Sequence, residues 1–272
     1  MHSLIVALNV PLARNGGAAI RNRQTIRALA RVGTVDVVCL GATEVADVED
    51  VATVLAWSRD ELHAQRSPVR HVRDRLWRVR PGAHWWIDAY RSAHAMDAVE
   101  RLVAATDPDL VVASQWQTAE YALAVAGGRR LVFDTHNVEG DLRPALGTDG
   151  SRTDRPGSTR PDLGTRRLRH WESRLGAAEV WVCSDEDAAV WSATYGGHDR
   201  LRVVPNTVDL GDPVWSADRD PYRVLLTGTM SYGPNADAAV ELVREVLPVV
   251  RATVPAAQLE IVGRAPAPAV TA

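Results

Sequence analysis

The apolar run Leu131, Val132, Phe133 breaks at once into Asp134, Thr135, His136, Asn137 and, one residue on, Glu139. A carboxylate, an imidazole, an amide and a second carboxylate thus follow one another at what reads as the end of a β-strand. An imidazole can orient a hydroxyl or move a proton, and a carboxylate can fix a neighbouring ring or a cation. The pair His136-x-x-Glu139 is half of a helical metal site, but no second such pair accompanies it, so metal binding is set aside. Turn chemistry competes with function here, because Asp134 and Asn137 are also residues that cap a following segment.

A second candidate lies in ARNGGAAIRNR, where Gly16 and Gly17 stand immediately before a helical pattern. Backbone amides at a helix N-terminus attract phosphate, since glycine permits close approach and the helix dipole favours negative charge there. The spacing is NGGAAI and not GxGxxG, which disfavours a Rossmann-type oxidoreductase or epimerase. A tight turn is the structural alternative. Three further loops complete the set. In VCSDEDAAV, Ser184 precedes Asp185, Glu186 and Asp187 and reads as ordinary helix capping. VVPNTVD is a strand entering a Pro-Asn turn, and LTGTMSYGPNADAAV repeats the strand-loop-helix arrangement, with Gly228 ending the strand.

These loops need a scaffold, and the rest of the chain supplies one. SLIVALNV, then AAIRNRQTIRALARVG with Ile20, Ile26, Leu29 and Ala30 at helical spacing, then VDVVCLG, make a βαβ unit. The alternation continues through AHAMDAVERLVAATDPDLVVAS, TAEYALAVAGGRRLVFDTHN and RRLRHWESRLGAAEVWVCSDEDAAVW. Strands without polar alternation are covered on both faces, and βαβ units imply a parallel sheet. The fold class is therefore α/β, with the ligand-binding loops at the carboxyl ends of the strands. Asp107 and Pro108 punctuate the chain just before one strand.

Two stretches interrupt the pattern. Leu142 to Arg166 contains GTDGSRTDRPGSTRPDLG and reads as a mobile inserted loop. PNTVDLGDPVWSADRDP separates one βα series from the next, which predicts a first domain over residues 1–204 and a second over 205–272. The second holds only YRVLLTG, the helical NADAAVELVREVLPVVRATVP and QLEIVG, too little for an independent core, so it is expected to be incomplete.

Composition narrows the partners. The chain has 272 residues, 46% hydrophobic and 24% charged, the balance of an ordinary globular protein. A net charge of −3 and a pI near 6.2 give no global reason to expect nucleic acid. All basic residues are Arg, read as genome bias before chemistry. Cys39 and Cys183 sit in apolar runs and are expected to be buried free thiols, which fits a reducing cytoplasm. No leader pattern opens the chain, and no apolar run approaches the roughly 18 residues of a membrane span. In SPVRHVRDRLWRVRPGAHWWIDAYR, Arg70, Arg73, Arg75, Arg78 and Arg80 with Trp77, Trp85 and Trp86 could dock on anionic headgroups, against the slightly favoured reading of a solvated helix face with core tryptophans.

Taken in order, NGGAAIRNRQTIRAL, FDTHNVEGDL, the Glu172 helix leading into AEVWVCSDED, VVPNTVD and VLLTGTMSYGPNADAAVELVREVLPVVRATVPAAQLEIVGRAP resemble the retaining glycosyltransferases of the GT-B fold, family four. The likeness is to the bacterial exopolysaccharide and sugar transferase subgroup and covers nearly the whole chain. It implies a Rossmann-like acceptor-side domain, an incomplete donor-binding domain, and transfer of a sugar from a nucleotide-sugar donor to a polysaccharide, glycan or lipid-linked acceptor without a catalytic metal or other cofactor. It further implies a cytoplasmic protein, with peripheral contact at the inner face of the plasma membrane as an option.

The resemblance also implies roles. His136 matches the histidine that touches the donor sugar, with Asn137 beside it. Gly16 and Gly17 match the loop that approaches diphosphate and acceptor, with Arg21 following on the helix. Asn206 matches a hinge asparagine near the diphosphate, while Gly228 and Thr229 open the phosphate loop of the second domain. Two departures stand out: TGTMSYGPN carries no Arg or Lys, and the acidic motif of two glutamates expected further on is absent from the chain. The expectation is a chain inactive alone, and the alternative is a non-catalytic binding or interaction protein derived from such an enzyme.

Overall fold

The computed structural model describes residues 1–8, 16–41, 51–64, 85–140, 163–175, 178–197, 199–207 and 220–271. The described residues up to 207 form one compact unit and those from 220 a second. Most of the inserted loop at 142–166, the arginine and tryptophan segment up to residue 84 with the Trp85 and Trp86 side chains, and residues 208–219 of the interdomain stretch lie outside the described residues.

The first unit is built on a seven-stranded sheet: β1 (His2–Ala7), β2 (Thr34–Leu40), β3 (Thr53–Trp57), β4 (Leu110–Ser114), β5 (Arg130–Asp134), β6 (Glu179–Val182) and β7 (Leu201–Val203). Their order is β3-β2-β1-β4-β5-β6-β7, and every pairing is parallel. The winding reverses between β1 and β4, where Ser3 pairs with Leu110. Loops leaving adjacent strands diverge at such a point and open a crevice beyond their carboxyl ends. Edge strand β3, which is half-buried, is not among the elements expected from the sequence.

Helices cover both faces, as the continuous apolar runs require. α1 (Gly17–Ala30) lays Ile26 and Leu29 on Ile5, Val35, Val37, Val112 and Val132. The other face carries Leu4, Val6, Val111 and Phe133 under α4 (Ala93–Thr106), α5 (Ala119–Ala126), α6 (Leu163–Leu175) and α7 (Asp185–Tyr195). Alternation along β1, Leu4 to one side and Ile5 to the other, is the period of two expected of a strand. Short helices α2 (Arg59–Ala64) and α3 (Trp85–Asp88) precede α4. Ser92 caps α4 by accepting the Ala95 amide, and Asp107 ends it at φ 41°, in the turn expected before β4. Ser184 likewise accepts the Asp187 amide at 3.1 Å and starts α7, as its sequence setting implied. Among the described residues no helix is long and apolar enough to cross a membrane.

The second unit pairs β8 (Arg223–Thr229) with β9 (Gln258–Arg264) in parallel. Between them the sequence predicts one helix, and the structure divides it: α8 (Gly233–Glu241), a π-helical stretch at Leu242–Val246, then α9 (Leu247–Thr253). Pro248 has no amide to bond back along a helix, and the wider π turn just before it accommodates the missing bond. The short α10 (Pro268–Thr271) closes the described chain. Val224, Leu225 and Val262 on this two-stranded sheet are exposed.

Because Ile5 is fully buried in the central strand beneath α1, Ile5→Ala is expected to cost about 2–5 kcal/mol. Urea titration should show a lower midpoint at unchanged slope.

Candidate functional site

The end of β5 and the chain leaving β7 meet around one guanidinium. Arg21, on the first turns of α1, is 4% exposed, and Asp134, the last residue of β5, is fully buried. Arg21 Nε and Nη2 donate to Asp134 Oδ1 at 2.8 and 2.6 Å, while Nη1 donates to the Val204 carbonyl at 2.8 Å and to Asn206 Oδ1 at 3.1 Å. A charge taken out of water must be paired and hydrogen-bonded, and the guanidinium fork meets both needs at once. Burial pushes the Asp134 carboxyl up, with Arg21 and the Thr25 hydroxyl pulling it down.

His136 sits directly behind this pair. Its side chain is 8% exposed, with Nε2 at 3.0 Å from Ser114 Oγ and 3.9 Å from Asp134 Oδ2. Ser114 ends β4 and donates to Asn22 Oδ1, so the ring is tied to α1 through a hydroxyl. Burial first, and the Arg21 charge second, hold the imidazole down to about 3. His136 is therefore neutral at physiological pH, suited to accept or donate a hydrogen bond and unsuited to act as a standing cation. Three polar atoms of this cluster, Asn22 Nδ2, Asp134 Oδ2 and His136 Nδ1, are buried without a hydrogen-bond partner among the described residues. Native interiors rarely leave such groups unmet, and each calls for a partner such as a water, an ion or a ligand.

The backbone around His136 is pinned on several sides. The Thr135 amide bonds the Trp181 carbonyl at 3.0 Å, the Thr135 hydroxyl donates to the Asn137 carbonyl, and the Cys183 thiol donates to the His136 carbonyl at 3.2 Å. Glu172, fully buried on α6, accepts the amides of Glu139 at 3.1 Å and Gly140 at 3.0 Å, and its second oxygen also takes the Tyr195 hydroxyl from α7. Desolvation outweighs those three bonds and raises Glu172 to about 7. Val138, 3% exposed, anchors the loop in the core.

The remaining expected residues are placed as follows. Gly16 precedes α1 at φ 119°, a left-handed backbone that favours glycine, and among the described residues nothing lies within 4 Å of where a Cβ would stand on it or on Gly17. The start of α1 thus offers open backbone amides with no acidic residue in its first turn. Asn137 is exposed and its amide reaches Glu139 at 3.4 Å. Asn206 belongs to the Arg21 cluster. Gly228 and Thr229 lie in the second unit: a Cβ on Gly228 would come within 2.7 Å of Asn235 Nδ2, and Thr229 Oγ1 accepts Arg264 Nε at 3.3 Å. Of the two free cysteines only Cys39 is fully buried; Cys183 is half-buried because it falls just past β6, where the sheet opens, and burial still raises its thiol.

Asn22, Ser114, Glu172 and Tyr195 were not among the expected site residues. The one sequence signal for Ser114 is its position, a hydroxyl ending LVVAS one strand over from the end of RLVFD.

Residues 15–212 match the family model described as Glycosyltransferase Family 4. No curated protein sequence matches the chain. Among solved structures, sucrose-phosphate synthase from Thermosynechococcus elongatus aligns over 97% of this chain and 71% of its own, with a TM-score of 0.56 at 15% identity. The apo form of the lipopolysaccharide outer core galactosyltransferase WaaB aligns over 97% and 68%, with a TM-score of 0.51 at 11% identity. The catalytic domain of starch synthase IV from Arabidopsis thaliana, bound to ADP and acarbose, aligns over 99% and 70%, with a TM-score of 0.51 at 13% identity.

Two outcomes test the electrostatics. Arg21→Met strands a buried carboxylate and is expected to cost about 3–5 kcal/mol in urea unfolding, with the His136 pKa rising once the nearby cation is gone. For Glu172 the folded pKa of about 7 exceeds the unfolded 4.5, so its stabilising protonated form is present at low pH and lost as pH rises through 7. The stability difference between wild type and Glu172→Gln should fall by roughly 3 kcal/mol from pH 4.5 to 7 and level off above, as read from urea titrations at a series of pH values.

Proposed function

The chain belongs to glycosyltransferase family 4 and has an α/β fold of the GT-B type, and we propose that it moves a sugar from a nucleotide-sugar donor to a glycan or lipid-linked acceptor with retention of anomeric configuration. The observation that carries the reading is the buried, neutral His136 at the carboxyl edge of the parallel sheet, one strand from the reversal of winding. A neutral imidazole there can hold a sugar hydroxyl without competing for the charge of the leaving group. The starch synthase IV catalytic domain is bound to ADP in its structure, which supports a nucleoside diphosphate as the leaving group here.

In that reaction the bond from the anomeric carbon to the diphosphate oxygen breaks, and the departing diphosphate keeps the electron pair. The acceptor oxygen forms the new bond on the same face and gives its proton to the oxygen of the departing diphosphate. Catalysis then needs negative charge stabilised on the leaving group and an acceptor hydroxyl held in line. Gly16 and Gly17 offer the backbone amides, with Asn137 exposed beside His136 to take a polar contact. Arg21 spends four hydrogen bonds inside the protein, so it enters as the residue that positions Asp134 and Asn206. Gly228 and Thr229, with Arg264 against the Thr229 hydroxyl, form the phosphate-binding loop of the second unit. The proposal includes a polysaccharide or glycolipid product made at the cytoplasmic face of the membrane.

Incubation with a panel of nucleotide sugars and glycan or lipid-linked acceptors is expected to release a nucleoside diphosphate from at least one donor, with retained configuration by proton NMR of the product. His136→Ala should lower kcat about a hundredfold or more. Wild-type turnover should show no inflection from His136 between pH 5 and 8, because that group titrates near 3. Release of nucleotide from no donor in the panel would overturn the reading, and an inverted product would overturn the retaining mechanism.

A further inference from the structure

The end of β4 holds a residue whose role follows from proton counting, given the reading of His136 as the imidazole that meets the sugar. Ser114 is fully buried, and its Oγ stands 2.5 Å from Asn22 Oδ1 and 3.0 Å from His136 Nε2. A hydroxyl carries one proton. With that proton donated to Asn22, the serine oxygen can only accept from the ring, which requires hydrogen on Nε2.

The opposite arrangement would turn the Asn22 amide so that its nitrogen donates to Ser114 and the serine proton points at Nε2. Nε2 would then be an unprotonated acceptor bonded to the serine while lying 3.9 Å from Asp134 Oδ2, in a site screened from water. An N–H in that place is attracted to the carboxylate and a lone pair is repelled by it. Local hydrogen bonding and the field of Asp134 therefore select the same tautomer. Nδ1 is left with its lone pair, buried and without a protein partner.

We propose that Ser114 is a positioning residue that fixes His136 as the Nε2–H tautomer and thereby leaves Nδ1 to accept a hydrogen bond from a hydroxyl of the transferred sugar. Asn22 completes the relay by taking the serine proton. Burial keeps the ring neutral, so one tautomer persists across the working pH range. The orphaned Nδ1 is thereby explained as an acceptor that substrate satisfies.

Nitrogen-15 NMR of the histidine rings in the wild-type protein reads the tautomer directly and does not depend on turnover. For His136, assigned by its loss in His136→Ala, the expected result is a pyrrole-type Nε2 and a pyridine-type Nδ1. Ser114→Ala should bring the two shifts together as tautomers mix and lower kcat about tenfold with KM within about twofold, the worth of one buried hydrogen bond. Ser114→Thr, which keeps a hydroxyl, should restore both. A wild-type ring protonated on Nδ1, or a Ser114→Ala protein with unchanged shifts and kcat, would overturn the proposal. Should no nucleotide sugar be turned over, the functional reading falls while the nitrogen shifts still decide what Ser114 does.

Discussion

The buried ion pair between Arg21 and Asp134 is the constraint on which the site depends. Neither partner can be hydrated, since Arg21 is 4% exposed and Asp134 not at all, so each exists in its place only because the other does. The guanidinium is also tied to the Val204 carbonyl and the Asn206 side chain, which fixes the chain leaving β7 against α1 and the end of β5. Elements distant in sequence are thereby held at one spacing by a single planar group. The same charge reaches His136 and helps keep it neutral. Structure and chemistry are coupled at this point, because the interaction that joins the strand ends also sets the ionisation of the residue beside them.

A second layer of control acts on the backbone. His136 begins a loop whose amides at Glu139 and Gly140 end on the Glu172 carboxylate and whose own carbonyl takes the Cys183 thiol. Three hydrogen bonds would ordinarily lower a carboxyl pKa, but Glu172 goes up because it is wholly enclosed by α6, α7 and the loop. The loop is thus held by a group that pays a desolvation penalty for its position. Rigid support of this kind keeps an imidazole within the narrow geometry that bond-making requires.

The sheet was legible in the sequence because its strands are continuous apolar runs and its helices carry a clean apolar face; Ile5, Ile26 and Val112 announce both faces of β1 and β4 without help. His136 stands out in the sequence because a strand runs there into polar residues, and the structure places it just past the end of β5, beside Ser114 and Asp134. Glu172 marks in the sequence only the helix it lies on and not a site residue, since RRLRHWESRL sets it among arginines, and tertiary packing is what shows that Trp171 and Glu172 are buried. Ser114 looks like any strand end until β5 is placed beside it. Arg21 shows the limit most clearly: next to a glycine loop a cation suggests phosphate, and nothing local reveals that Asp134, 113 residues away, already holds it.

That commitment of Arg21 has a consequence for how charge is divided on the proposed reading. With its guanidinium spent, what the described start of α1 offers phosphate on that reading is the amides after Gly16, which are neutral donors. In the second unit the loop TGTMSYGPN is itself without a cation, yet Arg264 arrives from the end of β9 to stand on the Thr229 hydroxyl and is exposed to solvent. Parallel pairing of β8 and β9 makes this unavoidable, because it brings the carboxyl ends of the two strands together with Thr229 opposite Arg264 in register. A positive charge absent from a loop in sequence can therefore be present at that loop in space. The neutral TGTMSYGPN is thus a departure from a sequence pattern, while Arg264 brings a positive charge to the loop proposed to bind phosphate.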